Sequence, residues 1–199
     1  MIEKYLPNNW GANERSVITY KHSLMVAKAA QLIAAKCGLN ENLAYIYGEM
    51  HDIGKFFLQP KKFYKHPRLG YDMLIKENPD IAQICITHSF PVINSYCKDD
   101  ELKNYILSFC HSDQEEADLL INILNNIQTN DYIQLIQFCD KISTIDKYIP
   151  IETKLSWYQE KHHISFSELD KFYGIPLNNI KEKFNKMTGV DVYKLLNTK

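Results

Sequence analysis

Residues 51–55 read His51-Asp52-Ile53-Gly54-Lys55, and this stretch decides how the rest of the chain is interpreted. It lies at the end of an apolar run with helical spacing, which we predict as a helix over 41–53 that Asn40 caps. Neighbouring side chains on a helix point about 100° apart, so His51 and Asp52 can reach one ion in the crevice between them. The pair predicts a metal site with Asp52 at its centre, where its two oxygens can bridge two ions.

The two residues after the pair have both structural and functional interpretations. Gly54 permits a left-handed or tightly packed exit from the helix. Lys55 places a cation beside the pair, where it can bind a phosphate oxygen or stabilise a leaving group. A favourable charge at a helix C-terminus explains Lys55 equally well, and both interpretations stay open here.

Two histidines each interrupt an apolar helical face. His22 lies in a helix predicted over 14–36, on a face that comprises Ile18, His22, Met25, Ala29 and Ile33. His88 shares a face with Ile81, Ile84 and Cys85 in a helix that begins at Asn78-Pro79. A lone histidine in such a place is more often a satisfied core residue than a ligand.

Asp140 lies on the inward face of a third helix, predicted from a cap at Asp131 to about Tyr148. A buried carboxylate needs a compensating cation, and a metal ion is the strongest one. A salt bridge to Lys141 or Lys147 is the plainer explanation for Asp140 alone. Three helices that each turn one ligand-type residue inward favour a shared site.

His66 begins the stretch HPRLGYDML, after a loop or short turns predicted over 55–65. Pro67 suits the first position of a helix that we expect to run through Lys76. A helix cap or a surface position would also account for His66. Arg68 can bind phosphate in a bidentate manner, or it is a solvated residue of the first turn.

The whole chain is predicted to be all-α and compact, since no strand-like alternation appears. We expect one helical domain over 1–150 and a C-terminal helical extension over 151–199 that packs on the same domain. Helices of the extension are predicted near 151–161, 165–172, 176–188 and 190–196, with boundaries at Pro176 and Gly189. His162 and His163 fall in a polar segment there and are assigned to the surface; His111 is left outside the site.

Composition narrows the classes of partner and compartment. The chain has 199 residues, 45% hydrophobic and 24% charged, with a net charge of −1 and no strong basic patch along the sequence. Duplex nucleic acid is therefore not expected as a main partner, nor is a membrane, since no apolar run reaches the length of a span. Most of the five cysteines sit in apolar surroundings without a CxxC, which argues against a disulfide scaffold. No signal peptide is apparent, so a cytoplasmic location is expected.

The ordered series of His22, His51-Asp52 in HDIGK and Asp140 resembles the HD-domain superfamily of metal-dependent phosphohydrolases, over roughly residues 14–148. His66 in HPRLGY and His88 in ITHSF look like the two additional histidines of its dinuclear members. The resemblance implies one ion on His22, His51, Asp52 and Asp140, and a second ion on Asp52, His66 and His88. A mononuclear site without His66 and His88 is the simpler alternative.

The resemblance also implies hydrolysis of a phosphoester or phosphoanhydride in a nucleotide-like substrate by a metal-activated water, with Asp52 and Lys55 in catalytic roles. The mixed nitrogen and oxygen ligands suit Mn²⁺, Fe or Co, although Zn²⁺, Ni²⁺ or Mg²⁺ could occupy such a site. Gly70-Tyr71-Asp72 departs from the signature of members that cleave cyclic dinucleotides. The histidine set is closer to members that hydrolyse dinucleoside polyphosphates, but no residue fixes the substrate.

Two other classes of function remain open. The chain could be a non-catalytic metal- or nucleotide-binding HD module that acts through a partner. It could also be a helical interaction protein with structural histidines. Neither the exact substrate nor the oligomeric state follows from the sequence.

Overall fold

The structure, a computed structural model, describes residues 1–91, 99–109 and 113–197. These residues form helices and turns with no β-strand among them, which confirms the all-α prediction. The α-helices are α1 (Glu14–Cys37), α2 (Glu41–Met50), α3 (His66–Leu74), α4 (Pro79–Thr87), α5 (Asp99–Phe109), α6 (Gln114–Leu124), α7 (Asp131–Ile142), α8 (Ile151–His162), α9 (Phe166–Leu169), α10 (Ile175–Thr188) and α11 (Val192–Leu195). Short 3₁₀ helices span Ile2–Lys4, Trp10–Ala12, Ile53–Phe57 and Pro60–Lys65, and a π-helical turn spans Asp170–Gly174.

Asparagine side chains begin several of these helices. Asn40 accepts a hydrogen bond of 3.0 Å from the backbone N–H of Leu43, as the sequence predicts. Asn78 caps α4 in the same way. The cap of α7 is Asn130 and not Asp131, because the Asn130 side chain accepts the N–H of Ile133.

Two helices end earlier than the sequence predicts. α2 ends at Met50, so the prediction of a helix to Ile53 is wrong by three residues, and His51 and Asp52 lie in the turn that follows. α7 ends at Ile142 and not near Tyr148. Thr144 explains the second difference: its hydroxyl accepts the N–H of Lys147 at 3.0 Å and closes a tight turn that competes with the helix.

Small residues bring α1 and α2 into close contact. A Cβ atom on Gly48 would lie only 2.5 Å from the Cα of Ala27, so the two backbones touch at this crossing. Ile18, expected on the buried face of α1, is 45% exposed, whereas Ser16 and Thr19 are buried, so the buried face begins with small polar residues. The crossing places the residues after α2 beside the middle of α1.

A second close contact sets the position of α3. A Cβ atom on Gly54 would lie 2.2 Å from the carbonyl oxygen of His66. The tightly packed exit predicted at Gly54 is therefore present, without a left-handed backbone. This contact holds the first residue of α3 directly against the HDIGK turn.

The C-terminal helices pack on the rest of the chain. α10 contacts α1 and α7, and α8 contacts α7. The Tyr193 hydroxyl accepts the N–H of Ile151, and the Tyr173 hydroxyl donates to the carbonyl of Ser89 at 3.2 Å. Gly189 ends α10 in the left-handed conformation, as expected, whereas Pro176 lies inside the first turn of α10. The division into domains at residue 150 stays a prediction.

No helix within the described ranges is both long and apolar enough to cross a membrane.

Candidate metal centre

Six predicted ligands, from five separate parts of the chain, meet at one point. His22 comes from α1, His51 and Asp52 from the turn after α2, His66 from the first residue of α3, His88 from the end of α4 and Asp140 from α7. The carboxylate of Asp52 lies at their centre and is 1% exposed. The structure therefore brings every predicted ligand together, although ion binding by these residues stays a prediction.

The first group of donors comprises His22, His51 and Asp140, whose ligand atoms lie within 4.8 Å of one another. His22 Nε2 is 2.9 Å from Asp140 Oδ1, and His51 Nε2 is 3.5 Å from the same oxygen. Asp52 Oδ2 faces this group, 3.4 Å from His51 Nε2 and 4.0 Å from His22 Nε2.

The second group lies on the other side of Asp52. Asp52 Oδ1 is 3.2 Å from His66 Nε2 and 3.3 Å from His88 Nε2. The two histidine nitrogens are 3.0 Å apart. Each oxygen of Asp52 thus faces a different set of histidines, as a bridging carboxylate must.

Backbone carbonyls fix the orientation of three of these rings. The Nδ1 atoms donate to the carbonyl three residues earlier in each case: His51 to Gly48 at 2.7 Å, His66 to Phe63 at 2.5 Å and His88 to Cys85 at 2.7 Å. A carbonyl oxygen only accepts, so each neutral ring carries its proton on Nδ1 and has a lone pair on Nε2. A hydrogen bond from the ring nitrogen that faces away from the ion is typical of metal-binding histidines.

The arrangement of the lone pairs fits a cation. Within the described ranges, the buried atoms His51 Nε2 and Asp52 Oδ1 have no hydrogen-bond partner. His66 Nε2 and His88 Nε2 point their lone pairs at each other, which is unfavourable unless a positive charge lies between them. Unsatisfied buried acceptors are costly, and divalent ions on these nitrogen and oxygen donors would satisfy them.

Burial and charge set the protonation of the ligands. Burial lowers the pKa of His88 to about 3 and also lowers the pKa values of His22 and His66. These three rings are therefore neutral near pH 7. Burial also opposes charge on His51, but the neighbouring carboxylates of Asp52 and Asp140 outweigh it and raise the pKa to about 9.

Two lysines keep the carboxylates ionised. Burial favours the neutral acids, but Lys55 beside Asp52 and Lys141 beside Asp140 hold both carboxyl pKa values well below their usual range. Lys55 Nζ lies 2.5 Å from Asp52 Oδ2. Lys141 pairs with Asp140, as the plainer sequence interpretation proposed, yet Asp140 also faces His22 and His51.

An open cavity of about 530 Å³ lies over these donors. Its walls carry six cations, namely Arg15, Lys55, Lys61, Lys141, Lys154 and Lys161. Apart from Lys55, and Lys141 as a partner of Asp140, none was singled out as a site residue, because these cations are scattered along the sequence. A volume of this size is typical of a small-molecule site.

Other residues discussed from the sequence lie outside this cavity. Arg68 donates to Glu116 at 2.8 Å and to Asp72 at 2.6 Å, so its guanidinium is paired with two carboxylates. His163 is exposed, as expected. Cys37 is half-buried, and Cys85 and Cys139 are buried free thiols. His111, Cys97, Cys110 and the side chain of His162 lie outside what the structure describes.

Comparisons with known proteins agree with this geometry. The family model described as "HD domain" matches residues 19–145. Ribonuclease Y of Campylobacter jejuni subsp. jejuni is 41% identical over 69 residues, which is 34% of this chain and 13% of the ribonuclease. Ribonuclease Y of Campylobacter jejuni subsp. doylei gives the same figures. The match thus spans 13% of the length of these relatives. No solved structure matches the chain significantly.

Proposed function

The chain belongs to the HD domain family, and on this premise we propose that it hydrolyses a phosphoester or phosphoanhydride of a nucleotide-like substrate with the help of divalent metal ions. The family implies a phosphohydrolase-type function that depends on metal. One observation carries the proposal: four histidines and Asp140 lie around Asp52, beneath a cavity with cationic walls.

Two ions fit the donors that the structure groups. His22, His51, Asp140 and one oxygen of Asp52 would hold the first, and His66, His88 and the other oxygen of Asp52 the second. The mixed nitrogen and oxygen set favours Mn²⁺, Fe or Co over an all-oxygen Mg²⁺ site, and Zn²⁺ or Ni²⁺ would also be accepted.

When bound, such ions supply Lewis-acid activation of water and of the phosphoryl group. The protein residues supply charge and orientation. Asp52 and Asp140 stay ionised at neutral pH because Lys55 and Lys141 lie beside them. The Nδ1 hydrogen bonds hold the rings of His51, His66 and His88 without rearrangement. Preorganised donors of this kind avoid the cost of reorganisation during the reaction.

Lys55 has two roles in this proposal. Its ammonium group balances Asp52, and the same group lines the cavity at 25% exposure. A substrate phosphate that enters the cavity would meet Lys55 next to the donor cluster. Lys55 would then bind a phosphoryl oxygen and stabilise the charge that develops on it.

RNA is a second candidate substrate. The relatives with 41% identity over 69 residues are named as ribonucleases, and the cationic walls of the cavity suit a single-stranded phosphodiester as well as a nucleotide. Both candidates use the same donors and the same reaction type. We further propose a cytoplasmic location.

A substrate screen tests the proposal. Purified protein loaded with Mn²⁺ is assayed against bis(p-nitrophenyl) phosphate, nucleoside phosphates, dinucleoside polyphosphates, cyclic dinucleotides and short RNA. We expect turnover of at least one class by the wild type and none by Asp52→Asn. Glu160→Gln, which neutralises an exposed carboxylate on α8, is the control and should match the wild type. Metal binding without turnover of any substrate would instead favour the non-catalytic binding module.

A further inference from the structure

The cavity over the candidate metal centre carries more positive charge than the centre itself requires. Lys55 and Lys141 are paired with the carboxylates of Asp52 and Asp140. Four further cations line the walls, namely Arg15, Lys61, Lys154 and Lys161. No carboxylate in the described part of the chain pairs with any of these four. A chain with a net charge of −1 thus concentrates unbalanced positive charge at one opening.

Helix α8 supplies one wall through a regular stripe. Lys154, Tyr158 and Lys161 follow one another at spacings of four and three residues and all line the cavity. Ile151 and Leu155 lie beside this stripe, three residues before and one residue after Lys154; they are 0% and 3% exposed and anchor the helix in the core. Their burial fixes the rotation of α8 and therefore places the stripe at the cavity.

Lys154 is the most constrained of the four cations. Its Nζ lies 5.5 Å from the centre of the Tyr158 ring, which orients the ammonium group. Burial lowers its pKa, and Lys141 and Lys55 lower it further, while Asp140 opposes them. A partly buried cation without an anionic partner costs free energy, and a bound anion would recover it.

Two other segments supply further cations to the same cavity. Arg15 lies with its Cζ 4.9 Å from the Phe63 ring centre, and the cation–π contact keeps its guanidinium at the cavity. Lys61 lines the cavity from the 3₁₀ helix Pro60–Lys65. An anion in this cavity would therefore be surrounded by cations from separate parts of the chain.

We propose that Lys154 and Lys161, together with Arg15 and Lys61 in the same cavity, form a second phosphate subsite, so that the substrate carries at least two phosphate groups. This inference rests on the proposed function, in which the first phosphate lies over the donor cluster. Helix α8 is outside the stretch that matches the HD family, residues 19–145, so the subsite is a property of this chain and not one implied by the match.

The second phosphate could come from two sources. It could be the next group of a phosphoanhydride chain in a mononucleotide, or the next phosphodiester along an oligonucleotide. The subsite chemistry is the same in both cases, and only the spacing of the two phosphates differs.

Calorimetric titration of the Mn²⁺-loaded protein tests the subsite and separates the sources. AMP carries one phosphate and α,β-methylene-ADP carries two at anhydride spacing. A 5′-phosphorylated diadenosine with a phosphorothioate linkage carries two at oligonucleotide spacing. The affinity ratio between each two-phosphate ligand and AMP is measured for the wild type, Lys154→Gln and Lys186→Gln, the last an exposed lysine on α10 that serves as control.

We expect Lys154→Gln to reduce the ratio for one of the two ligands by about tenfold or more, the loss typical of a hydrogen bond to a charged group. The second phosphate can also chelate the bound metal, but this contribution is the same in every variant. It therefore does not change the comparison of affinity ratios between variants. The ligand whose ratio falls identifies the source. Lys186→Gln should keep the wild-type ratios.

Unchanged ratios in Lys154→Gln, or an equal loss for AMP and both two-phosphate ligands, would overturn the subsite. Melting temperature and bound metal are measured on every variant, so that a folding defect is recognised, and Lys161→Gln then provides the second test. The titration needs no turnover. A wild type that shows these ratios but hydrolyses nothing would therefore contradict the proposed function and not the subsite.

Discussion

Replacing Gly54 by alanine should displace His66 and remove one metal ion. A Cβ atom at position 54 would lie 2.2 Å from the His66 carbonyl oxygen, and contacts under 3.0 Å essentially never occur. The atom met is backbone, so α3 must move by at least the difference, about 0.8 Å. Metal–ligand distances tolerate only about 0.2 Å. We therefore expect the ion on His66 and His88 to be lost while that on His22, His51 and Asp140 stays.

The expected magnitudes follow from the same displacement. Misplacement of a catalytic group by about 1 Å costs about a hundredfold in rate, and overpacking costs about 1–3 kcal/mol in the free energy of unfolding. The assay is bound Mn²⁺ per chain by elemental analysis, together with turnover and melting temperature. Gly11→Ala is the matched control, because a Cβ atom there meets nothing within 4 Å. Wild-type metal content and turnover in Gly54→Ala would refute this account of how His66 is positioned.

Three further predictions concern the same region. His66→Ala should bind one ion fewer than the wild type in elemental analysis, and an unchanged metal content would favour the mononuclear site. Gly48→Ala should lower the free energy of unfolding by about 3 kcal/mol in urea denaturation, because the added carbon would meet the Ala27 backbone at 2.5 Å; a loss below about 0.5 kcal/mol would contradict the tight crossing. In the metal-free protein the raised pKa of His51, about 9, contributes stability that is complete below pH 6.5 and is lost as the pH rises through 9. The melting temperature of the metal-free protein should therefore fall between pH 6.5 and pH 9, and that of the Mn²⁺-bound protein should fall less. Parallel pH profiles of the two forms would contradict a metal that displaces the His51 proton.

The helical period predicts the inward direction of the ligands well. His88 and Asp140 lie on faces whose other predicted members are apolar, and the local pattern is sufficient to orient them. The face predicted for His22 is less exact, since Ile18 is 45% exposed. The pair His51-Asp52 is adjacent in sequence, so its proximity needs no tertiary information. These local signals account for five of the six ligands, whereas His66 is held in place by the close contact of its carbonyl with Gly54.

The walls of the cavity could not be predicted in the same way. Arg15 and Lys61 lie far apart in the sequence, and the packing of the 3₁₀ helix Pro60–Lys65 against Arg15 brings them to one cavity. A partial signal was present in α8, where Lys154, Tyr158 and Lys161 share a stripe beside Ile151 and Leu155. That pattern does not show what the stripe lines.

Helix ends were missed where side chains compete for backbone groups. His51 donates its Nδ1 proton to the carbonyl of Gly48, at the point where α2 gives way to a turn. The 3₁₀ helix that follows lets Gly54 pack against His66. The first effect is a local contact and the second a tertiary one, and a helical period reveals neither.

The proposed hydrolysis requires Asp52 to hold two ions. Its most direct test is the number of Mn²⁺ ions per chain, measured by elemental analysis alongside turnover, in the wild type and in Asp52→Asn. We predict two ions per chain with turnover in the wild type, and loss of both ions and of turnover in Asp52→Asn. A wild type that binds no divalent ion, or an Asp52→Asn variant that keeps two ions and full activity, would contradict it.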